Sequence, residues 1–129
     1  MSNTASSATE KTILVIDDDP QFGKYLTKGF NGNGFKVMFA ESGKEGLEYL
    51  KDHTPSYILT DIIMPDKEGI ELILEIRKLG YENPIIAMSG HSAQSSSYLE
   101  AAKLLGATDS ICKPFTVEDF QTLIGKMRE

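Results

Sequence analysis

Four places in the sequence hold side chains suited to chemistry, each directly after a short apolar run. Asp17, Asp18 and Asp19 follow Thr12-Ile13-Leu14-Val15-Ile16, and Asp61 follows Tyr57-Ile58-Leu59-Thr60. Ser89 follows Pro84-Ile85-Ile86-Ala87-Met88, and Lys113 follows Ser110-Ile111-Cys112. Brought together, the acids would be unstable alone, since two unit charges about 4 Å apart repel by about 4 kcal/mol at an effective dielectric of about 20. A bound cation, a protonated acid or Lys113 must offset that. Oxygen donors without His or Cys favour Mg²⁺ or a similar hard ion. A carboxylate beside such an ion and a lysine is arranged for phosphoryl transfer onto oxygen. Asp61 would attack in line while the cations neutralise the equatorial oxygens. Ser89 could then donate to one of those oxygens, and the added charge could draw its loop inward.

Each stretch taken alone also has a plainer reading. Asp17 to Asp19 before Pro20 could be a turn and a helix N-cap, and Asp61 a turn residue. Ser89-Gly90 could be an ordinary loop, and Lys113-Pro114 alone says little. The elements between them decide whether they meet.

Apolar patterning predicts strands over 12–16, 35–40, 57–61, 84–88 and 110–112. Between them it predicts helices. The first, over 20–30, starts at Pro20, carries Phe22, Leu26 and Phe30 as a stripe, and ends at Asn31-Gly32-Asn33-Gly34. Ser42-Gly43-Lys44-Glu45 has capping-box spacing and opens a second, apolar at Leu47 and Leu50 and ended by His53-Thr54-Pro55. A third, over 69–79, places Ile70, Ile73, Leu74 and Arg77 on one side. A fourth has a polar first half and a better second half over 98–105. Thr116-Val117-Glu118-Asp119 opens the last, with Phe120, Leu123, Ile124 and Met127 read as mostly core.

The order is strand then helix, five times over, which implies an α/β fold with a parallel sheet wrapped on both faces. We expect a (βα)5 doubly wound, flavodoxin-like three-layer sandwich with strand order 2-1-3-4-5. In that order strands one and three are neighbours about 4.8 Å apart. The functional crevice of such a sheet lies at the carboxyl ends of its strands. Every strand end except that of strand two carries one of the polar groups above. Independent arrival at one rim is hard to reconcile with four unrelated turns.

These stretches resemble the receiver domain of two-component response regulators. The resemblance runs from Ile13 to about Met127. It rests on Ile13-Leu14-Val15-Ile16-Asp17-Asp18-Asp19-Pro20, Thr60-Asp61-Ile62-Ile63-Met64-Pro65 with Gly69, Met88-Ser89-Gly90, and Gly106-Ala107 leading to Lys113-Pro114-Phe115. It implies that Asp61 is the phosphoacceptor, charged by a histidine kinase or a histidine phosphotransfer protein. It implies that Asp18 ligates Mg²⁺ directly, that Asp17 acts through water, and that Asp61 and the backbone carbonyl of Ile63 complete the protein ligands. Ser89 matches the hydroxyl switch, and Lys113 the phosphate-pairing lysine before a proline that is usually cis. Asp19 has no fixed role in the family and reads as the helix cap.

Three positions modulate that picture. The family's aromatic switch falls on Ser110, whose small hydroxyl cannot swing as a ring does, which puts the usual route to an output face in doubt. Ile63 is apolar and cannot hold an attacking water, so a long-lived phosphoryl group is expected. His91 could contact the phosphoryl group, although a plain exposed loop histidine is the simpler reading.

Composition bounds the rest. The 129 residues fit one domain and carry a net charge of −6, with thirteen Lys and Arg that form no run, which argues against nucleic-acid binding. Residues 1–10 read as a disordered polar tail, not a signal peptide, and 11–129 as the receiver domain. No apolar run approaches the ~20 residues that span a bilayer, and the single cysteine, Cys112, excludes an internal disulfide; the chain reads as cytoplasmic. No effector is expected after the last helix, so output would pass through contacts with an unknown downstream protein. Met1 and the polar tail lean towards a complete single-domain chain. A haloacid-dehalogenase-type phosphatase could use Asp17-Asp18-Asp19, but Asp61 would then have no role. A receiver-like module that binds without phosphorylation is the other alternative. The main reading is a phosphoacceptor, not a turnover enzyme.

Overall fold

The computed structural model describes residues 11–62, 69–90 and 95–127. The tail 1–10, Ile63 and His91 lie outside them, as do expectations resting on those positions. Within them strands and helices alternate: β1 (Lys11–Ile16), α1 (Pro20–Phe30), β2 (Phe35–Ala40), α2 (Gly43–Leu50), β3 (Tyr57–Asp61), α3 (Gly69–Lys78), β4 (Ile85–Ser89), α4 (Ser95–Leu105), β5 (Asp109–Cys112) and α5 (Val117–Met127). The sheet has the order β2-β1-β3-β4-β5, parallel throughout, as the sequence predicts.

The period-2 alternation of strand side chains divides the core into two layers. Leu14, Ile16, Ile58, Ile85 and Ala87 face Leu72, Ile73, Ile76 and Ala102 of α3 and α4. Ile13, Val15, Leu59, Ile86 and Met88 face Leu26 and Phe30 of α1 and Phe120 and Ile124 of α5. Phe120 stands edge-on to Phe30, Phe35 and Tyr57, with centroids 5.2, 5.8 and 5.6 Å away, geometry that the ring quadrupole favours.

Caps fix where helices begin. Asp19 caps α1, its carboxylate accepting from the N–H groups of Gln21 and Phe22. Ser42 caps α2 through Glu45 N–H, while the Glu45 side chain accepts from Glu41 N–H, one residue earlier than a capping box requires. Thr116 and Asp119 exchange both bonds of that box ahead of α5, so Asp serves in place of Glu.

The α3 face differs from expectation, while the α2 face carries Leu47 and Leu50 against the core as expected and adds two buried glycines. In α3 the buried residues are Leu72, Ile73 and Ile76, not a stripe running to Arg77. The Arg77 guanidinium instead donates to the carbonyls of Gly106, Tyr81 and Asn83. In α2 the buried positions are Gly43 and Gly46, with Leu47 and Leu50 half-buried. A Cβ on Gly46 would lie 2.6 Å from Ile16 Cδ1, so glycine here permits close packing of helix on sheet.

Candidate functional site

Consecutive strand ends place the chemistry along one rim. β1 delivers Asp17, whose N–H still pairs with Ala40 O of β2 at 3.1 Å. β3 ends on Asp61, in register with Met88, and β4 ends on Ser89, in register with Cys112. Lys113 N–H donates to Ser89 O at 2.6 Å, which ties the lysine backbone to the end of β4. The Lys113-Pro114 bond is cis, as the resemblance implies.

Lys113 Nζ lies 2.8 Å from Asp17 Oδ2 and 3.0 Å from Asp61 Oδ2. Asp17 is fully buried, and Asp61 and Ser89 are buried as well. Asp18 is exposed, yet Asp17, Asp18 and Asp61 each offer an oxygen, all within 4.8 Å of one another. Asp17 Oδ1 also accepts from Asp19 N–H at 3.0 Å, which fixes the plane of its carboxylate.

Among the described residues, one ammonium stands between the two buried acids. Burial pushes the Asp17 carboxyl above its ordinary 3.8. The hydrogen bond and charge of Lys113 act against that, and the charge of Asp61 adds to it. For Lys113, burial acts downward, but the Asp17 hydrogen bond and the charges of Asp61 and Asp17 exceed it, so its pKa is raised. The pairing thus secures the lysine's charge without fully relieving the buried acid. A hard divalent cation fits this donor set: oxygens only, negative charge in excess, and one exposed ligand at the mouth.

Ser110 is half-buried in β5, opposite Ala87, and its N–H donates to Asp109 Oδ1 at 2.8 Å. Phe22 lies on the apolar stripe of α1 and packs against the core. Its ring faces Lys113 Nζ at 4.8 Å from the centroid, a pairing between α1 and the end of β5 that no periodicity displays.

The chain matches the response regulator receiver domain family over residues 13–125. It is 31% identical over 116 residues to response regulator MprA of Mycolicibacterium vanbaalenii, across 90% of this chain and 48% of that protein. The chain therefore spans about half the length of the curated relatives it matches. Among solved structures, a CheY-like response regulator receiver domain protein from Methanospirillum hungatei JF-1 superposes with a TM-score of 0.81 at 28% identity, covering 92% of this chain and 93% of that one. A receiver domain protein from Clostridium thermocellum gives 0.80 at 27% identity, covering 90% and 92%. This chain belongs to the receiver domain family of two-component response regulators. Among the described residues, no helix is long and apolar enough to cross a membrane.

Proposed function

We propose that this receiver domain accepts a phosphoryl group on Asp61 from the phosphohistidine of a histidine kinase or phosphotransfer protein. The observation that carries the reading is the Lys113 ammonium held between Asp17 and Asp61, with Asp18 in reach of both acids. An Asp61 oxygen attacks phosphorus, the P–N bond breaks as the P–O bond forms, and the electron pair leaves with the donor imidazole. Lys113 then passes from Asp61 Oδ2 to a phosphoryl oxygen, and Ser89 donates its hydroxyl to another. Asp17, Asp18 and Asp61 would hold Mg²⁺, which would neutralise the acids and the transferring group.

The domain is modified once per cycle and signals through protein contacts in the cytoplasm, without turning over a separate substrate. Commitment of the Asp19 carboxylate to capping α1 speaks against the phosphatase alternative, which needs it free as an acid. The test is intact mass after incubation with Mg²⁺ and a small-molecule phosphodonor. Wild type should gain one phosphoryl group and Asp61→Ala none; equal gain, or no gain by wild type, would overturn the reading.

A further inference from the structure

We propose that Phe22 is a positioning residue for Lys113: its ring face holds the ammonium in line with Asp61 without occupying a hydrogen bond. This inference rests on the acceptor reading of Asp61 for its functional consequence, but not for its geometry.

An ammonium has three N–H donors and a flexible four-carbon stem. Two carboxylates take hydrogen bonds from Lys113, and the Phe22 ring faces the same nitrogen at 4.8 Å. During transfer Lys113 must leave Asp61 for a phosphoryl oxygen. A third carboxylate or carbonyl would hold it by competing for those protons. An aromatic face attracts the charge through its quadrupole and competes for none.

The ring is itself held. Phe115, 2% exposed, meets Phe22 edge-on at 5.7 Å between centroids. Tyr25 stacks against it with centroids 6.0 Å apart and planes 26° apart, and its hydroxyl donates to Phe115 O at 3.2 Å. Phe115 lies two residues beyond Lys113, across the cis Lys113-Pro114 bond. Thus α1 grips both the lysine's ammonium and the backbone just beyond it. Aliphatic packing alone would not require a ring face directed at a charge.

The experiment compares wild type, Phe22→Leu and Phe22→Tyr. One arm reads the NMR shifts of the Lys113 Hε protons, which a ring face moves upfield. The other reads the rate of Asp61 phosphorylation by a small-molecule phosphodonor at saturating Mg²⁺, with Mg²⁺ affinity measured alongside. We expect Phe22→Leu to lose the upfield shift and roughly fivefold in rate with Mg²⁺ affinity unchanged, and Phe22→Tyr to keep both. Identical Hε shifts in wild type and Phe22→Leu, or equal rate losses in the Leu and Tyr variants, would overturn the inference. If wild type accepts no phosphoryl group, the acceptor reading fails, and the Hε shifts alone decide whether Phe22 holds Lys113.

Discussion

Lys113 and Asp17 stand 96 residues apart in the chain, yet their side chains meet at 2.8 Å. The pair joins the first strand in chain order, β1, to the end of the last, β5, across a rim that also holds Asp61. Among the described residues one cation is shared by two acids there, and that balance of charge governs how the site should respond to mutation, pH and metal.

Lys113→Met removes the ammonium and leaves Asp17 and Asp61 facing each other. Breaking a buried ion pair by deleting one partner costs about 3–5 kcal/mol. Because the Lys113 side chain is 22% exposed, solvent screens part of this, and a loss of about 2–3 kcal/mol is expected. Urea denaturation in a chelating buffer measures it. Saturating Mg²⁺ should return part of the loss by replacing the missing charge. Equal stability of variant and wild type in chelator would show that the lysine is not what balances the acids.

Asp17 reverses the usual sign for a carboxylate. Its native pKa is raised above 3.8, so the folded protein holds this proton more tightly than the unfolded chain does. Stability from this group is then present at low pH and lost as pH rises from below 3.8 through the raised native value. Asp17→Asn mimics the protonated acid and should remove that slope. In chelating buffer the variant should be the more stable protein near neutral pH, with the difference vanishing below about pH 4. Parallel stability–pH curves for the two proteins would contradict this. In saturating Mg²⁺ the order should reverse, because the variant has lost a negative charge that the cation would balance.

Ile63 bears on how long a phosphoryl group lasts. It stands two residues after Asp61, and its side chain offers no acceptor to orient an attacking water. Phosphorylated wild type should lose its group slowly in Mg²⁺, and Ile63→Asn should shorten the lifetime by roughly tenfold or more. Timed intact-mass measurement reads both rates. Rapid loss from wild type, or no change on substitution, would remove Ile63 from the account.

Strand positions were legible because the five apolar runs are short and bounded by turn residues, and those of β1, β3 and β4 are buried on both faces. The site was legible for the same reason: in a parallel sheet all strand ends share one rim, so their order in sequence fixes their neighbours in space. What failed was the reading of amphipathic residues by period alone. Phe22 sits at the i position of the α1 stripe and packs against the core as the period implies, but its ring also faces a charge supplied by a residue far along the chain, which the period does not show. Arg77 fell on the apolar side of α3 by spacing, although its aliphatic stem and its guanidinium do different things. In α2 the helix approaches the sheet through Gly46, and glycine contributes nothing to a hydrophobic pattern.

Arg77 yields the last prediction. Its Nε and Nη2 donate to Gly106 O at 3.0 and 2.8 Å, and its Nη1 to Tyr81 O and Asn83 O at 2.8 and 2.9 Å. One planar fork therefore joins the segment after α3 to the segment after α4. A lysine has one nitrogen at the end of its stem and cannot span carbonyls on both segments. Arg77→Lys should accordingly lose most of what Arg77→Ala loses, about 2 kcal/mol, or roughly 8 °C in Tm. Gly106→Ala should be at least as harmful for a separate reason. Its φ of +130° suits glycine, and a Cβ there would lie 2.7 Å from Arg77 Cγ. Thermal melts of the three variants test the scheme. A lysine variant within about 0.5 kcal/mol of wild type would mean that charge alone, rather than the fork, ties these segments together.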